Sequence, residues 1–319
     1  MFFSHACREG NNSAWYYILA TVVVIGAMIL GGIPFVTMLA ISMRQSTSDP
    51  EEIQRQIRAL DFSGLDVDPN LILALMLLQF AFGLGALYLM VKTLHQKRFS
   101  SLITPRRPVR WRRIGGAFLF WFVLMAVLEA VSYAFNPGAY SWNFQPAKFF
   151  TLLLVTIPLL PIQTSFEEIF IRGYWMQGIG LATRRKWPAV LITSILFALL
   201  HGQNPEVQAY GASKMMAYYF MIGLFFAIIA VMDDSLEIPL GFHFANNFYS
   251  ATIVSYQDSA LKTPALIHNT DANPDGMILS TILLIAFLLF RMKRYYHWPS
   301  WKKLLEKISC PPGETAAVA

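Results

Sequence analysis

Phe166-Glu167-Glu168-Ile169-Phe170-Ile171-Arg172-Gly173 places two carboxylates and a guanidinium inside an apolar run that begins near Phe149. A charge near a bilayer centre costs at least a few kcal/mol, and such residues face a bundle interior or a water-filled cavity. Two later apolar runs each bring a histidine, at Phe197-Ala198-Leu199-Leu200-His201 and at His243-Phe244-Ala245-Asn246-Asn247.

The surrounding chain has the character of a membrane protein. It has 319 residues, 55% hydrophobic and only 14% charged, with mean hydropathy +0.47; soluble proteins carry about 25% charged residues. Apolar runs near twenty residues long predict an all-α, polytopic bundle of about eight transmembrane helices. They fall at about 14–43, 71–94, 114–135, 148–174, 188–203, 215–232, 238–257 and 276–292. The first run is too long for a signal-peptide core and reads as a retained helix. Residues 1–13 form a polar lead, 14–294 the helical domain with its core at 148–257, and 295–319 a basic tail with a disordered end. Gly31-Gly32-Ile33-Pro34 predicts a kink in the first helix, and Pro158 and Pro161 predict breaks in the fourth. In the polar stretch 44–70, Ile53, Ile57 and Leu60 suggest a short surface helix after Asp49 and Pro50. Residues 204–214 and 258–275 read as polar loops.

The net charge of +6 is explained by the positive-inside bias rather than by nucleic acid. Lys92 to Arg113 holds eight basic residues and no acidic one, Arg184-Arg185-Lys186 follows, and the tail supplies a third cluster. Eight spans with both termini cytoplasmic put all three clusters on one side; the acidic turn Asp233, Asp234 and Glu237 does not help that count. Cys7 and Cys310 form no CxxC motif and read as tail thiols. Glu129, alone in its helix, reads as a bundle-facing hydrogen bonder.

Of six histidines, only His201 and His243 lie within apolar helices. Glu168 and Arg172 are i, i+4 and share a face, so they can pair. Glu167 points about 100° away and is left to another partner. His243 and Asn247 share a face, and Phe197 stands one turn before His201. A carboxylate beside a histidine can deprotonate water for attack on a carbonyl, and a second imidazole with an amide can donate to the oxyanion. Glu167, His201 and His243 are also a catalytic zinc set by type. The compact HExxH motif is absent, and the balance leans to no tightly bound metal.

The ordered trio Glu167-Glu168-x-x-x-Arg172, Phe197-x-x-x-His201 and His243-x-x-x-Asn247 resembles the CAAX-protease and bacteriocin-processing family of intramembrane endopeptidases. The resemblance covers roughly residues 150–255. It implies Glu167 as general base, His201 as its partner on the attacking water, His243 and Asn247 as the oxyanion hole, and Glu168 and Arg172 as a supporting pair. It implies a protein or peptide substrate, prenylated or not, met at the lipid bilayer. Family members have been described both as metalloproteases and as glutamate proteases. The simple loops suggest a bacterial cytoplasmic membrane. The alternatives are a non-catalytic immunity or scaffold protein and a proton-coupled transporter; the latter is disfavoured because the broken helix has no counterpart elsewhere in the chain. Rise per residue puts Glu167 about 28 Å from Lys148 and His201 about 21 Å from Trp187. The expected site is in the membrane interior and opens to the cytoplasmic side.

Overall fold

The computed structural model describes residues 2–45, 51, 62, 64–106, 108–256, 258–271 and 274–310. The surface helix expected around Ile53 and the disordered end expected for the tail lie outside the described residues. The helices are α1 (Phe2–Arg8), α2 (Ala14–Gln45), α3 (Pro69–Thr93), α4 (Trp111–Phe135), α5 (Pro146–Glu168), α6 (Met176–Thr183), α7 (Lys186–Leu200), α8 (Pro205–Tyr210), α9 (Ala212–Asp233), α10 (Glu237–Thr252) and α11 (Pro274–Tyr295). A π-helical turn, Ile169–Trp175, joins α5 to α6 without a break in the rod.

All eight expected spans are helices, but they are not equal. Among the described residues, six helices are long and apolar enough to cross a membrane: α2, α3, α4, the continuous rod Pro146–Thr183, α9 and α11. The other two, α7 and α10, have only 15 and 16 residues. The protein is therefore an all-α polytopic helical bundle. The helix starts follow local chemistry. Asp68 caps α3 by accepting from the backbone N–H groups of Asn70 and Leu71, with Pro69 as the first helical residue. α6 and α9 stop at Arg184 and Asp234, each in the left-handed conformation.

Four expectations are corrected. Pro158 and Pro161 do not break the fourth helix but lie inside a continuous α5; the irregularity in that rod is the π-helical turn after Glu168. The seventh helix ends at Thr252. Residues 254–256 and 267–269 are strands β2 (Val254–Tyr256) and β3 (Ile267–Asn269), which form a sheet with β1 (Tyr140–Trp142) in the order β1-β3-β2. β1 and β3 are antiparallel, while β2 and β3 are parallel. The expected loop at 204–214 contains α8. Cys7 and Cys310 form a disulfide, with Cα atoms 5.6 Å apart. Both chain ends converge because Phe3 and Ile308 pack over Gly180 of α6, which has no side chain to hold them off.

Helix pairs approach closely where small residues allow it. A Cβ on Gly241 would strike the Ile114 carbonyl, which seats α10 against α4. Gly83 of α3 leaves room for the Phe166 ring of α5. Glu129 is the anchor of the small sheet. It accepts from the hydroxyls of Tyr140 (2.7 Å) and Tyr256 (2.8 Å) and from Asn269 Nδ2 (3.4 Å).

The chain runs up and down, so the two faces differ. On one lie both chain ends and the basic loops, tied by Arg98–Glu9 (2.6 Å) and Lys186–Glu306 (2.7 Å). The acidic turn sits on this face because its charges are matched there. Arg110 donates from its backbone N–H and from Nε to Glu237, Arg113 pairs with Asp233, and Lys303 pairs with Asp234. The sheet and α8 cover the opposite face.

His95, beyond the end of α3, is buried in the basic face. Its Nδ1 bonds the Asn11 carbonyl and its Nε2 the Tyr174 hydroxyl, each at 2.8 Å. Burial, reinforced by the Lys97 charge, holds its pKa down to about 4. The unfolded chain therefore binds the extra proton first as pH falls, so stability is full above about pH 6.5 and declines towards pH 4. Thermal denaturation in detergent should show this decline, with a slope of up to about 1.4 kcal/mol per pH unit. His95→Gln should flatten it; identical pH dependence in the two proteins would refute this role.

Candidate active site

Glu167 and Glu168 are the last two residues of α5, where the rod passes into the π-helical turn. Such turns carry a widened backbone and recur at functional sites. The two carboxylates diverge. Glu168 is completely buried, and its Oε1 accepts from Arg172 Nη1 and from His243 Nδ1, each at 2.8 Å. Arg172 is also completely buried, with its guanidinium 4.0 Å from the centre of the Phe197 ring and 5.9 Å from that of Phe226. A cation over an aromatic face recovers part of the hydration lost on burial. The π-helical turn thus joins its carboxylate partner to aromatic rings from α7 and α9.

His243 links the two carboxylates. With Nδ1 donating to Glu168, its Nε2 lies 3.4 Å from Glu167 Oε2. That oxygen is buried and has no hydrogen-bond partner among the described residues. The other Glu167 oxygen, Oε1, accepts from Gln163 Nε2 at 2.7 Å, and Gln163 Oε1 in turn accepts from Asn247 Nδ2 at 3.1 Å. Asn246 Nδ2 donates to Asn247 Oδ1 at 3.2 Å.

His201 caps the end of α7. Its Nδ1 donates to the Phe197 carbonyl at 2.7 Å, so Nε2 is left to act as an acceptor. The ring lies between Phe197 and Tyr219, with centres 4.3 and 4.5 Å away. Tyr219 is held by Asn204 Nδ2, which donates to its hydroxyl at 3.0 Å. Glu167 lies within electrostatic range of His201.

The structure therefore gathers every residue singled out in the sequence. Glu168 and Arg172 pair, Phe197 walls both histidines, and His243 and Asn247 both face α5. It also changes the partners. The histidine in contact with the carboxylates is His243, while His201 bonds its own helix and approaches from the side. Gln163, Tyr219 and Phe226 were missed. Gln163 carried a signal, being a polar residue one turn before Glu167 on an apolar helix. Tyr219 and Phe226 carried none, since an aromatic residue in an apolar helix is commonplace. Among the described residues, no group of three or more His, Cys, Asp and Glu side chains is gathered to hold a metal ion. Glu168 Oε1 and the Phe197 carbonyl each engage an imidazole Nδ1, which leaves both Nε2 atoms open, the arrangement of a histidine that binds through its other nitrogen.

Burial is graded through the site. Glu168 and Arg172 have no exposure and His243 has 5%, whereas the Glu167 side chain has 17% and His201 and Asn247 are half-buried.

Residues 146–249 match the family described as type II CAAX prenyl endopeptidase Rce1-like, a segment that includes Glu167, His201, His243 and Asn247. Over 297 residues the chain is 29% identical to the uncharacterized protein YyaK of Bacillus subtilis (strain 168), covering 92% of this chain and 96% of that one. No solved structure matches. The motif-bearing helices fall within that matched segment, so the likeness to the Rce1-like family rests on the part of the chain that holds the candidate site.

Proposed function

We propose that the protein is an intramembrane endopeptidase that hydrolyses a peptide bond of a membrane-associated protein or peptide in a bacterial cytoplasmic membrane. The observation that carries this reading is Glu167 Oε2, buried without a hydrogen bond and 3.4 Å from His243 Nε2 inside an apolar bundle. A carboxylate in that position, beside the acceptor nitrogen of His201, can hold a water and take its proton as the oxygen attacks the scissile carbonyl. The oxyanion then accepts from His243 Nε2 and Asn247 Nδ2. To donate from Nε2 while Nδ1 donates to Glu168, the His243 ring carries both protons. Glu167, Glu168, Arg172 and that ring are then neutral in sum, as a low-dielectric site favours. Asn247 turns its amide from Gln163 to the substrate. The proton held by Glu167 passes to the leaving nitrogen, and the peptide separates as acid and amine.

Glu167→Ala and His201→Ala should each lower cleavage at least about 100-fold while the protein still inserts. Comparative proteomics of wild-type and Glu167→Ala cells should reveal an uncleaved membrane substrate. Unchanged cleavage in either variant would sink the mechanism, and a scaffold function would leave the cellular phenotype of both intact.

Glu168→Gln should act differently, because it leaves Arg172 buried without its counter-charge. A loss of about 3–5 kcal/mol is expected for breaking such a pair. It should register as a lower melting temperature in detergent, with Glu167→Gln close to wild type. Equal stability of the two variants would show that the adjacent carboxylates do not divide their work in this way.

A further inference from the structure

The chain's two cysteines stand at its opposite ends, Cys7 in the last turn of α1 and Cys310 beyond the last span, and they are bridged. Each belongs to an arm that grips one helical element of the site. The first arm is fixed to the π-helical turn. Asn12 Nδ2 donates to the Ala6 carbonyl at 2.9 Å, which folds the residues after α1 back onto it. Asn11 bonds His95 twice. Its backbone N–H donates to the His95 carbonyl at 2.7 Å, and its carbonyl bonds His95 Nδ1 at 2.8 Å. His95 Nε2 then meets the Tyr174 hydroxyl at 2.8 Å. Tyr174 stands two residues after Arg172 in the same π-helical turn.

The second arm is fixed to the start of α7. The Ile308 N–H donates to the Arg184 carbonyl at 2.9 Å and the Lys186 N–H to the Glu306 carbonyl at 3.4 Å. Lys186 Nζ also pairs with the Glu306 carboxylate at 2.7 Å. α7 begins at Lys186, and His201 caps its other end. The arms meet over Gly180 of α6, where a Cβ would strike both Phe3 and Ile308. The bridge therefore joins the arm on the turn that carries Arg172 to the arm on the helix that His201 caps.

Two features separate this bridge from a permanent staple. The first is its side. It lies on the face of the basic loops, where Lys92 to Arg113 holds eight basic residues and no acidic one. The positive-inside bias assigns that face to the cytoplasm. Thiols there are kept reduced, and the disulfides that do form are transient and catalytic or redox-sensing. The second is that each arm keeps its own hydrogen bonds and ion pairs, so opening the bridge loosens the arms without casting them off. Cys310 is partly exposed and Cys7 is buried, so a small reagent reaches Cys310 first.

We propose that Cys7 and Cys310 form a reversible redox latch on the site. In the reducing cytoplasm both are thiols. A low-molecular-weight disulfide closes the latch by exchange. The Cys310 thiolate attacks one of its sulfurs, releases one small thiol and is left as a mixed disulfide; the Cys7 thiolate then attacks the Cys310 sulfur and releases the second. The protein thiols lose two electrons and two protons, and the small disulfide gains them. An excess of small thiol runs the same steps backwards. Closed, the latch braces the corner between α6 and α7 and ties the π-helical turn to it; open, the two elements move more freely. That the latch regulates cleavage rests on the endopeptidase reading, whereas the bridge and its grip on the site do not.

The full-length chain has no other cysteine, so each free thiol can be counted in cells by acid trapping and a gel shift with a polymer-bearing maleimide. Untreated cells should show two adducts. Minutes of dipyridyl disulfide, a membrane-permeant small disulfide, should abolish both, and washing with dithiothreitol should restore them. No adduct in untreated cells would make the bridge a permanent staple and overturn the proposal, as would two adducts after treatment. In Cys7→Ser, Cys310 should form the mixed disulfide at least about tenfold faster than Cys7 does in Cys310→Ser; equal rates would overturn the order of attack. Hydrogen exchange of the purified wild-type protein in detergent reads the grip on the site. Adding dithiothreitol should speed exchange over residues 169–186 at least about threefold and leave α9 unchanged. Unchanged exchange over 169–186 would leave a bridge with no hold on the site and overturn the latch. None of these readouts needs a substrate, so the latch and the endopeptidase reading fail separately: an uncleaved protein in Glu167→Ala cells bears on the second alone.

Discussion

The fully buried contact between Glu168, Arg172 and His243 is the constraint on which the rest of the site depends. Three ionisable groups at zero to 5% exposure in an apolar bundle are tolerable only when each supplies the other's counter-charge and donor. That requirement fixes the π-helical turn, which holds Arg172 against its own helix. It fixes the approach of α10, which must bring His243 within 2.8 Å of Glu168. It also fixes the aromatic lining, since Phe197 and Phe226 meet the side of the guanidinium that the carboxylate leaves uncovered. Glu167 is the residue this contact does not consume. Its neighbour satisfies the charge balance, and the next side chain around the helix keeps an unpaired oxygen.

Much of this was legible from residue spacing. The i, i+4 relation of Glu168 to Arg172 and of His243 to Asn247 follows from helix geometry, and helix geometry is what the apolar runs guarantee. The spans themselves were visible because hydropathy reports burial in lipid directly. What escaped was set by contacts between distant segments. No local pattern says that Cys7 meets Cys310, because that meeting depends on two chain ends converging over Gly180. The sheet depends on Glu129 gathering Tyr140, Tyr256 and Asn269 from three separate stretches. The expected breaks at Pro158 and Pro161 failed for a related reason: neighbouring helices can re-satisfy the backbone groups a proline frees, and sequence alone does not show the neighbours.

The acidic turn between α9 and α10 illustrates the same limit. Read by charge alone, Asp233, Asp234 and Glu237 sat on the wrong side of the membrane. In the fold they are the counter-ions of the basic face, with Glu237 completely buried against Arg110 and Arg113. The turn also sets the start of α10, and therefore the height at which His243 enters the bundle. A surface ion cluster and a buried site are thus joined by six residues of helix.

Short helices make a polar site possible at all in this setting. A full-length α7 or α10 would continue its apolar face to the far surface and leave no route for water to a buried carboxylate. By ending early, α7 turns its last residue into a cap, and that residue is His201, whose Nδ1 is satisfied by the carbonyl one turn back. The end of α7 is therefore also the feature that orients the His201 imidazole.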